Sequence, residues 1–435
     1  MPEQKIRIEK LCYGGAGLGR IEGKACFVPF SAPGDEVAVT VAREKKSYME
    51  AGLSSIVVPA PCRVEPPCPI FGDCGGCNWQ HVSYQEQLAQ KTEIFADTLR
   101  RLGGIEGEVV LPTVGSQRQY GYRSRIQLKL ATRGSETYLG FFRGSSHEVV
   151  DAPMGCAISD KPLNDAALEL RKVISRLPER VGVTGIDIAT GSDGATIAIL
   201  HGSAASEGGL ADALLKAREE LPSVTGLFLR GGARKVFGIE ELSYTVPQGF
   251  LPALPETSLS FARGGFSQVN YGQNLQLLRT VWEWGAFTGS ERLLDLYCGN
   301  GNFSVPLARY VAEVIGVEGH APSVADARKN AQRNGIGNAT FMVLDAAKAV
   351  RRFLSEEENF DLIILDPPRS GAAGAAEIAG LGAPTIIYVS CDPPTLARDL
   401  RILSDNGYTV ERSQPVDMFP QTYHLESATL LKRRH

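Results

Sequence analysis

Arg292-Leu293-Leu294-Asp295-Leu296-Tyr297-Cys298-Gly299-Asn300-Gly301 is an apolar strand run that breaks into a glycine turn. An acidic residue near the strand end, followed by Gly299-x-Gly301, lets backbone approach a ligand closely. Three further runs downstream end the same way. Glu313 to Val317 is followed by Glu318, Phe360 to Leu365 by Asp366-Pro367-Pro368, and Thr385 to Val389 by Ser390-Cys391-Asp392. Strands alternating with helical patterns predict a parallel, doubly wound sheet across residues 266–435. The chemically capable residues all sit at the C-terminal ends of strands, where such sheets bind ligands.

Glu318, closing the second strand, is placed to accept hydrogen bonds from ribose hydroxyls. The third glycine of a dinucleotide fingerprint is missing, since Ser304 stands there. Asp295 and Asp366-Pro367-Pro368 look instead like the pattern of Rossmann-like methyltransferases. Enzymes of that kind that methylate amino groups usually carry an aromatic residue after Asp-Pro-Pro, and this chain has Arg369. That argues against N-methylation of adenine or cytosine.

Upstream, residues 1–60 read as a small β-barrel module of the OB-like kind. Ala25 to Val28, Glu36 to Val41 and Ser55 to Val58 are short apolar runs cut by Gly and Pro turns. Leu11 through Gly19, Phe27-Val28-Pro29 and Pro33-Gly34-Asp35-Glu36-Val37 resemble a TRAM domain, an RNA-binding barrel. Residues 61–265 are predicted as a central α+β domain. It has a helix from about Tyr84 to Leu102, with Leu88, Ile94, Phe95 and Leu99 as its apolar positions, and strands at Arg125 to Leu130, Tyr138 to Phe142 and Thr196 to Leu200.

The 435 residues include nine cysteines and carry a net charge of −4. The mildly acidic balance speaks against a large nonspecific phosphate footprint but permits a local basic groove. An odd cysteine count with no secretion signal lowers the prospect of disulfides and raises metal and nucleophile roles. Charges run through the N-terminus and no apolar run reaches a membrane span, so a cytoplasmic protein without membrane contact is expected. Cys68-x5-Cys74-x2-Cys77 with the distant Cys156 suits either structural zinc or an iron–sulfur cluster. A zinc ribbon normally presents two Cys-x-x-Cys pairs, and only one is here. Cys62 falls outside the spacing, and Cys298 inside the glycine turn reads as structural.

Val389-Ser390-Cys391-Asp392-Pro393-Pro394-Thr395-Leu396-Ala397-Arg398-Asp399-Leu400 resembles the nucleophile motif of the RNA uridine-5-methyltransferase family. The resemblance extends to Phe266-Ser267-Gln268-Val269-Asn270, to Asp295 through Phe303, to Asp366 through Gly371, and to His424-Leu425-Glu426. With the barrel and the cysteine cluster it covers nearly the whole chain. It implies Cys391 as nucleophile and Glu426 as the base that takes the C5 proton. It also implies Gln268, Tyr297, Asn302, Glu318, Asp345 and Asp366 as contacts of S-adenosylmethionine. The lone distant Cys156 resembles the 4Fe-4S site of the family's rRNA-modifying branch. The barrel and the cluster together favour 23S rRNA over tRNA as partner.

The chemistry requires such residues. Uracil C5 becomes nucleophilic only when a thiolate adds to C6, and a base must then remove the C5 proton. Cytosine-C5 RNA enzymes carry Pro-Cys at the fourth strand, where Asp366-Pro367-Pro368 stands here. A non-catalytic assembly factor would not need Cys391 and Glu426 together, and an iron–sulfur oxidoreductase would need the missing fingerprint. Tyr120, Tyr122, Arg123, Arg125 and Lys129 are expected to stack bases and hold phosphates of a single-stranded or flipped-out target. Lys432-Arg433-Arg434-His435 is expected to be a solvated tail.

Overall fold

The computed structural model describes residues 3–134, 136–178, 182–202, 207–229 and 233–434. Strands β1 (Gln4–Leu11), β2 (Gly17–Ile21), β3 (Lys24–Val28), β4 (Glu36–Glu44) and β5 (Tyr48–Val58) close into a barrel in the order β1-β2-β3-β5-β4. Alternate residues point inward, so Ile6, Ile8, Val28, Val37 and Val39 form its core. Gly19 is obligatory there, because a Cβ would lie 2.7 Å from the Arg7 carbonyl oxygen. Asp35 anchors the barrel to the next segment. It accepts from the Ala32 and Ala60 amides and from Arg63, and these partners hold its carboxyl below the usual range.

Helix α1 (Tyr84–Thr98) follows the first three cysteines of the cluster and packs against the C-terminal part of the chain. A second sheet contains β6 (Arg125–Arg133), β7 (Glu136–Phe142), β8 (Val149–Asp151), β9 (Val183–Thr190), β10 (Thr196–Gly202), β11 (Gly226–Leu229) and β12 (Arg234–Gly238). Its order is β12-β11-β10-β9-β6-β7-β8. Helices α2 (Lys161–Arg176) and α3 (Glu207–Lys216) cover it, burying Leu163, Leu170, Ile186, Leu200, Leu214 and Leu227.

The hairpin of β13 (Glu241–Val246) and β14 (Thr257–Ala262) leads into α4 (Tyr271–Gly285). The last sheet comprises β15 (Arg292–Leu296), β16 (Glu313–Glu318), β17 (Ala339–Val343), β18 (Leu362–Leu365), β19 (Thr385–Ser390), β20 (Tyr408–Val416) and β21 (Glu426–Arg433). Its order is β17-β16-β15-β18-β19-β21-β20, parallel except for the pairings of β21. Five helices complete the wrap: α5 (Ser304–Leu307), α6 (Ala321–Arg333), α7 (Ala346–Ser355), α8 (Ala375–Gly380) and α9 (Pro393–Asp405). Strands covered on both faces lose their polar alternation, and Leu362–Leu365 and Thr385–Ser390 are buried at every residue.

The basic C-terminus is not a solvated tail. Lys432 and Arg433 end β21, where Lys432 bonds the Thr385 hydroxyl and Arg433 bonds the Gly382 carbonyl; His435 lies outside the described residues. Among the described residues, no helix is long and apolar enough to cross a membrane.

Candidate functional site

At the C-terminal edge of the last sheet lies a cavity of about 750 Å³. Gln268, Tyr297, Asn302, Glu318, Asp345, Asp366, Cys391 and Glu426 all line it. The glycine turn forms one wall. Tyr297 has a φ of 67°, a left-handed conformation that costs a side-chain-bearing residue on the order of 1–3 kcal/mol. The turn is held there because the Tyr297 and Cys298 amides both donate to the Val317 carbonyl, at 2.8 and 3.1 Å. Gly301 permits the close return of the chain, since a Cβ would lie 2.7 Å from Val305 Cγ2.

Glu318 is aimed into the cavity by two backbone donors, His320 N at 2.8 Å and Gly299 N at 3.3 Å. Asn302 accepts from the Tyr244 hydroxyl at 2.8 Å and exchanges amide hydrogen bonds with Asn274. Tyr244, on the β13–β14 hairpin, is buried and had no signal in the sequence; its partners lie more than fifty residues away. Asp345 caps α7, accepting from Lys348 N. Behind this wall Asp295 is fully buried, with the Ser304 hydroxyl on one oxygen and no partner for the other among the described residues. Burial raises its carboxyl to about 7.

Cys391 occupies the junction between β19 and α9. Asp392 caps that helix through Thr395 N and receives the Tyr13 hydroxyl of the barrel at 2.9 Å. Strands β19 and β21 pair antiparallel with Ser390 opposite Ser427. One step further, Cys391 and Glu426 stand side by side at the sheet edge. Burial pushes the Cys391 thiol up to about 12, and the carboxyls of Glu426 and Asp366 add to the shift. Arg369 opposes it with its charge and a hydrogen bond. Glu426 is 3% exposed, and its carboxyl lies well above the usual range through burial and then through Asp366. Asp366 is raised to about 7 by burial, then by Asp295 and Glu318. Two acids, Glu426 and Asp366, and one guanidinium, Arg369, therefore bear on the thiol. The sequence reading used Arg369 only to exclude N-methylation; the structure places it beside the thiol.

Cys68, Cys74, Cys77 and Cys156 line a second cavity of about 310 Å³, walled by Ile70, Phe71, Ile126, Phe141 and Ile158. Burial raises the Cys74 thiol to about 11 and the Cys77 thiol to about 12, and the neighbouring thiols add to both shifts. Among the described residues, no group of three or more His, Cys, Asp or Glu side chains is disposed to hold a metal ion. All nine cysteines are free thiols, Cys62 bonding the Pro33 carbonyl and Cys298 being buried.

The expected stacking strand is corrected in part. Tyr122 is buried and donates its hydroxyl to the Pro420 carbonyl at 3.0 Å, so it cannot stack a base. Arg125 is engaged by the Gly265 carbonyl at 3.0 Å. Phe266, in contrast, is 66% exposed at the rim of the large cavity.

Residues 256–434 match the family described as tRNA (Uracil-5-)-methyltransferase, and residues 5–62 match the TRAM domain of tRNA (uracil(54)-C(5))-methyltransferase. A 23S rRNA (uracil(1939)-C(5))-methyltransferase of Aeromonas hydrophila is 35% identical over 434 residues, spanning 99% of this chain and 96% of that one. Its counterpart in Pseudomonas aeruginosa is 36% identical over 442 residues, spanning 99% and 94%. The tRNA (uracil-54, C5)-methyltransferase of Pyrococcus abyssi, solved in complex with S-adenosyl-L-homocysteine, superposes with a TM-score of 0.73 at 25% identity. The match covers 98% of this chain and all of that one.

Proposed function

From the premise that the chain belongs to the RNA uracil-5-methyltransferase family, we propose that it methylates a uridine of 23S rRNA with Cys391 as nucleophile and Glu426 as base. Methylation of RNA uracil C5 with S-adenosylmethionine as donor is the activity of that family. One observation carries the assignment of residues: thiol, base and cofactor-facing acids line a single cavity at a sheet edge.

Glu318 would accept hydrogen bonds from the ribose hydroxyls of S-adenosylmethionine, and Gln268, Tyr297, Asn302, Asp345 and Asp366 are the other cavity residues that would hold it. Bound there, S-adenosylmethionine supplies an electrophilic methyl group. Cys391 loses its proton to solvent water and its sulfur forms a bond to uracil C6, sending the π electrons to C5 and O4. Arg369 favours the thiolate. The C5 electron pair would then form a bond to the methyl carbon as the donor's S–CH3 bond breaks, its electrons staying on sulfur to leave S-adenosylhomocysteine. Glu426 removes the C5 proton, the C5–H electrons reform C5=C6, and the C6–S bond breaks to return the thiolate.

The reactive forms of Cys391 and Glu426 are deprotonated, and both groups are shifted upward. Raised acids stay neutral to higher pH, so activity should grow as pH rises. With the Cys391 thiol pushed up to about 12 and Glu426 also raised, the expected kcat/KM keeps climbing from neutral into alkaline pH. A flat profile across that range would contradict the assignment.

The 23S substrate is supported by relatives of that name at 35% and 36% identity over 99% of the chain. The Pyrococcus enzyme, named for tRNA, favours a second reading. Labelled S-adenosylmethionine with deproteinised 23S rRNA and tRNA distinguishes them. Label is expected in 5-methyluridine of the 23S fraction, and label confined to tRNA would reverse the choice.

The reading of Cys68, Cys74, Cys77 and Cys156 as holding a 4Fe-4S cluster is supported by the four thiols lining one apolar-walled cavity, although their present arrangement is not yet that of metal ligands. Methyl transfer moves no electrons, so the cluster would fix the fold around these loops. Anaerobically purified protein should contain about four irons and four sulfides per chain. About one zinc and no sulfide would instead establish a zinc site.

A further inference from the structure

Lys91 has no exposed surface, yet it lies on α1 among residues whose periodicity calls for apolar side chains. A buried ammonium is tolerated only when fully paired. Its three donors meet three oxygens: Asp417 Oδ1 at 2.5 Å, the His424 carbonyl at 2.8 Å and the Phe419 carbonyl at 3.1 Å. The second Asp417 oxygen receives the Tyr84 hydroxyl at 2.8 Å, and that hydroxyl accepts from Ser116 N. One turn along α1 from Lys91, Gln87 exchanges two hydrogen bonds with Gln421, at 2.9 and 3.0 Å. The Gln421 carbonyl in turn accepts from Asn78 N and Trp79 N, just past Cys77.

These bonds grip one loop, from Asp417 to His424, at both ends. The loop ends two residues before Glu426, and its Phe419 lines the large cavity. The backbone of Glu426 pairs with Val416 of β20, but among the described residues no side-chain hydrogen bond fixes the approach of its carboxyl to a substrate. Its placement is inherited from the start of β21 and from the loop before it. Packing alone does not account for an ammonium here, since apolar side chains of similar volume often stabilise as well or better.

We propose that Lys91 is a positioning residue for C5 proton removal. By fixing the Phe419 and His424 carbonyls it sets the approach of the Glu426 carboxylate to C5 of the C6 adduct. The proposal rests on the roles given to Cys391 and Glu426 above.

The test separates proton removal from the steps before it. In 5-fluorouridine RNA, fluorine cannot leave C5 as a cation, so the methylated adduct on Cys391 persists without needing the base. The variant Lys91→Met/Asp417→Asn removes both buried charges together and leaves neither unpaired. Its KM values and its rate of trapping on 5-fluorouridine RNA should match the parent protein. Turnover of ordinary RNA should fall about ten- to a hundredfold, the effect of a slightly misplaced group, and methylated adduct should build up on a denaturing gel. Unchanged turnover, or turnover and trapping falling in parallel, would overturn the proposal. Should the double variant not fold, Tyr84→Phe is read by the same assays: slower turnover with normal trapping supports it, and no change overturns it. Failure of the parent protein to trap would sink the adduct chemistry and this proposal together, which is distinct from a parent that traps and a variant that behaves like it.

Discussion

Cys391→Ala is expected to bind S-adenosylmethionine normally and to form no detectable 5-methyluridine, a loss of at least about 10⁴-fold in kcat. The size of the effect follows from uracil itself. C5 has too little electron density to attack a methyl sulfonium until a nucleophile adds at C6. No other side chain on the cavity wall can replace the sulfur. Arg369 is a permanent cation, Glu426 and Asp366 are weak carbon nucleophiles, and Cys298 is buried in the glycine turn with a thiol held well above its ordinary value. Cys391→Ser should fail equally, because an alcohol is far less acidic than a thiol. The fold should survive, since Cys391 is half-buried at a junction that Asp392 and Thr395 cap independently. Labelled nucleoside analysis beside equilibrium cofactor binding gives the result. Turnover in the alanine variant would end the covalent reading, and lost cofactor binding would make Cys391 a structural residue.

The last sheet was legible because its strands are apolar runs punctuated by chemically distinctive ends. Asp295, Glu318, Asp366 and Cys391 each follow such a run, and the structure gathers all but Asp295 into the cavity wall. Strand β17 was not legible. It lies on the sheet edge with a mixed burial pattern, so no continuous run marks it. The β13–β14 hairpin is a similar case. Besides Tyr244, it contributes through the amides of Ser258 and Ser260, which donate to Asn334 at the C-terminal cap of α6 and to Asn330 within it, contacts seventy or more residues apart. Lys91 shows the limit most clearly. A lysine on a helix reads as solvent-facing, and its burial depends on three oxygens more than three hundred residues downstream, those of Asp417, Phe419 and His424. Tyr122 errs in the other direction, since an aromatic beside arginines resembles a stacking platform until its hydroxyl is found on the Pro420 carbonyl. Local pattern therefore located the elements and the chemistry, whereas the supports of the site depend on tertiary contact.

Glu426→Gln is expected to slow turnover by about 10²- to 10⁴-fold, the usual worth of a general base, while leaving the first half of the reaction intact. Glutamine keeps the shape of the side chain at the start of β21 but cannot accept the C5 proton. It also removes a carboxyl that raises the Cys391 thiol and repels the charge of Asp366. Thiolate formation, addition to C6 and methyl transfer should therefore proceed at least as fast as in the parent protein. The adduct then has no exit, because C6–S cleavage requires the electrons released from the C5–H bond. Each chain should take up about one methyl group and stop, with the RNA joined to the protein through Cys391 and visible as a methyl-labelled band on a denaturing gel. The double variant Cys391→Ala/Glu426→Gln should show no such band, which ties it to the thiol. Near-normal turnover in Glu426→Gln would transfer the base role to Asp366, the acid next in the cavity with a carboxyl raised to about 7. Loss of turnover without an adduct would place the need for Glu426 before methyl transfer, as the group that receives the thiol proton.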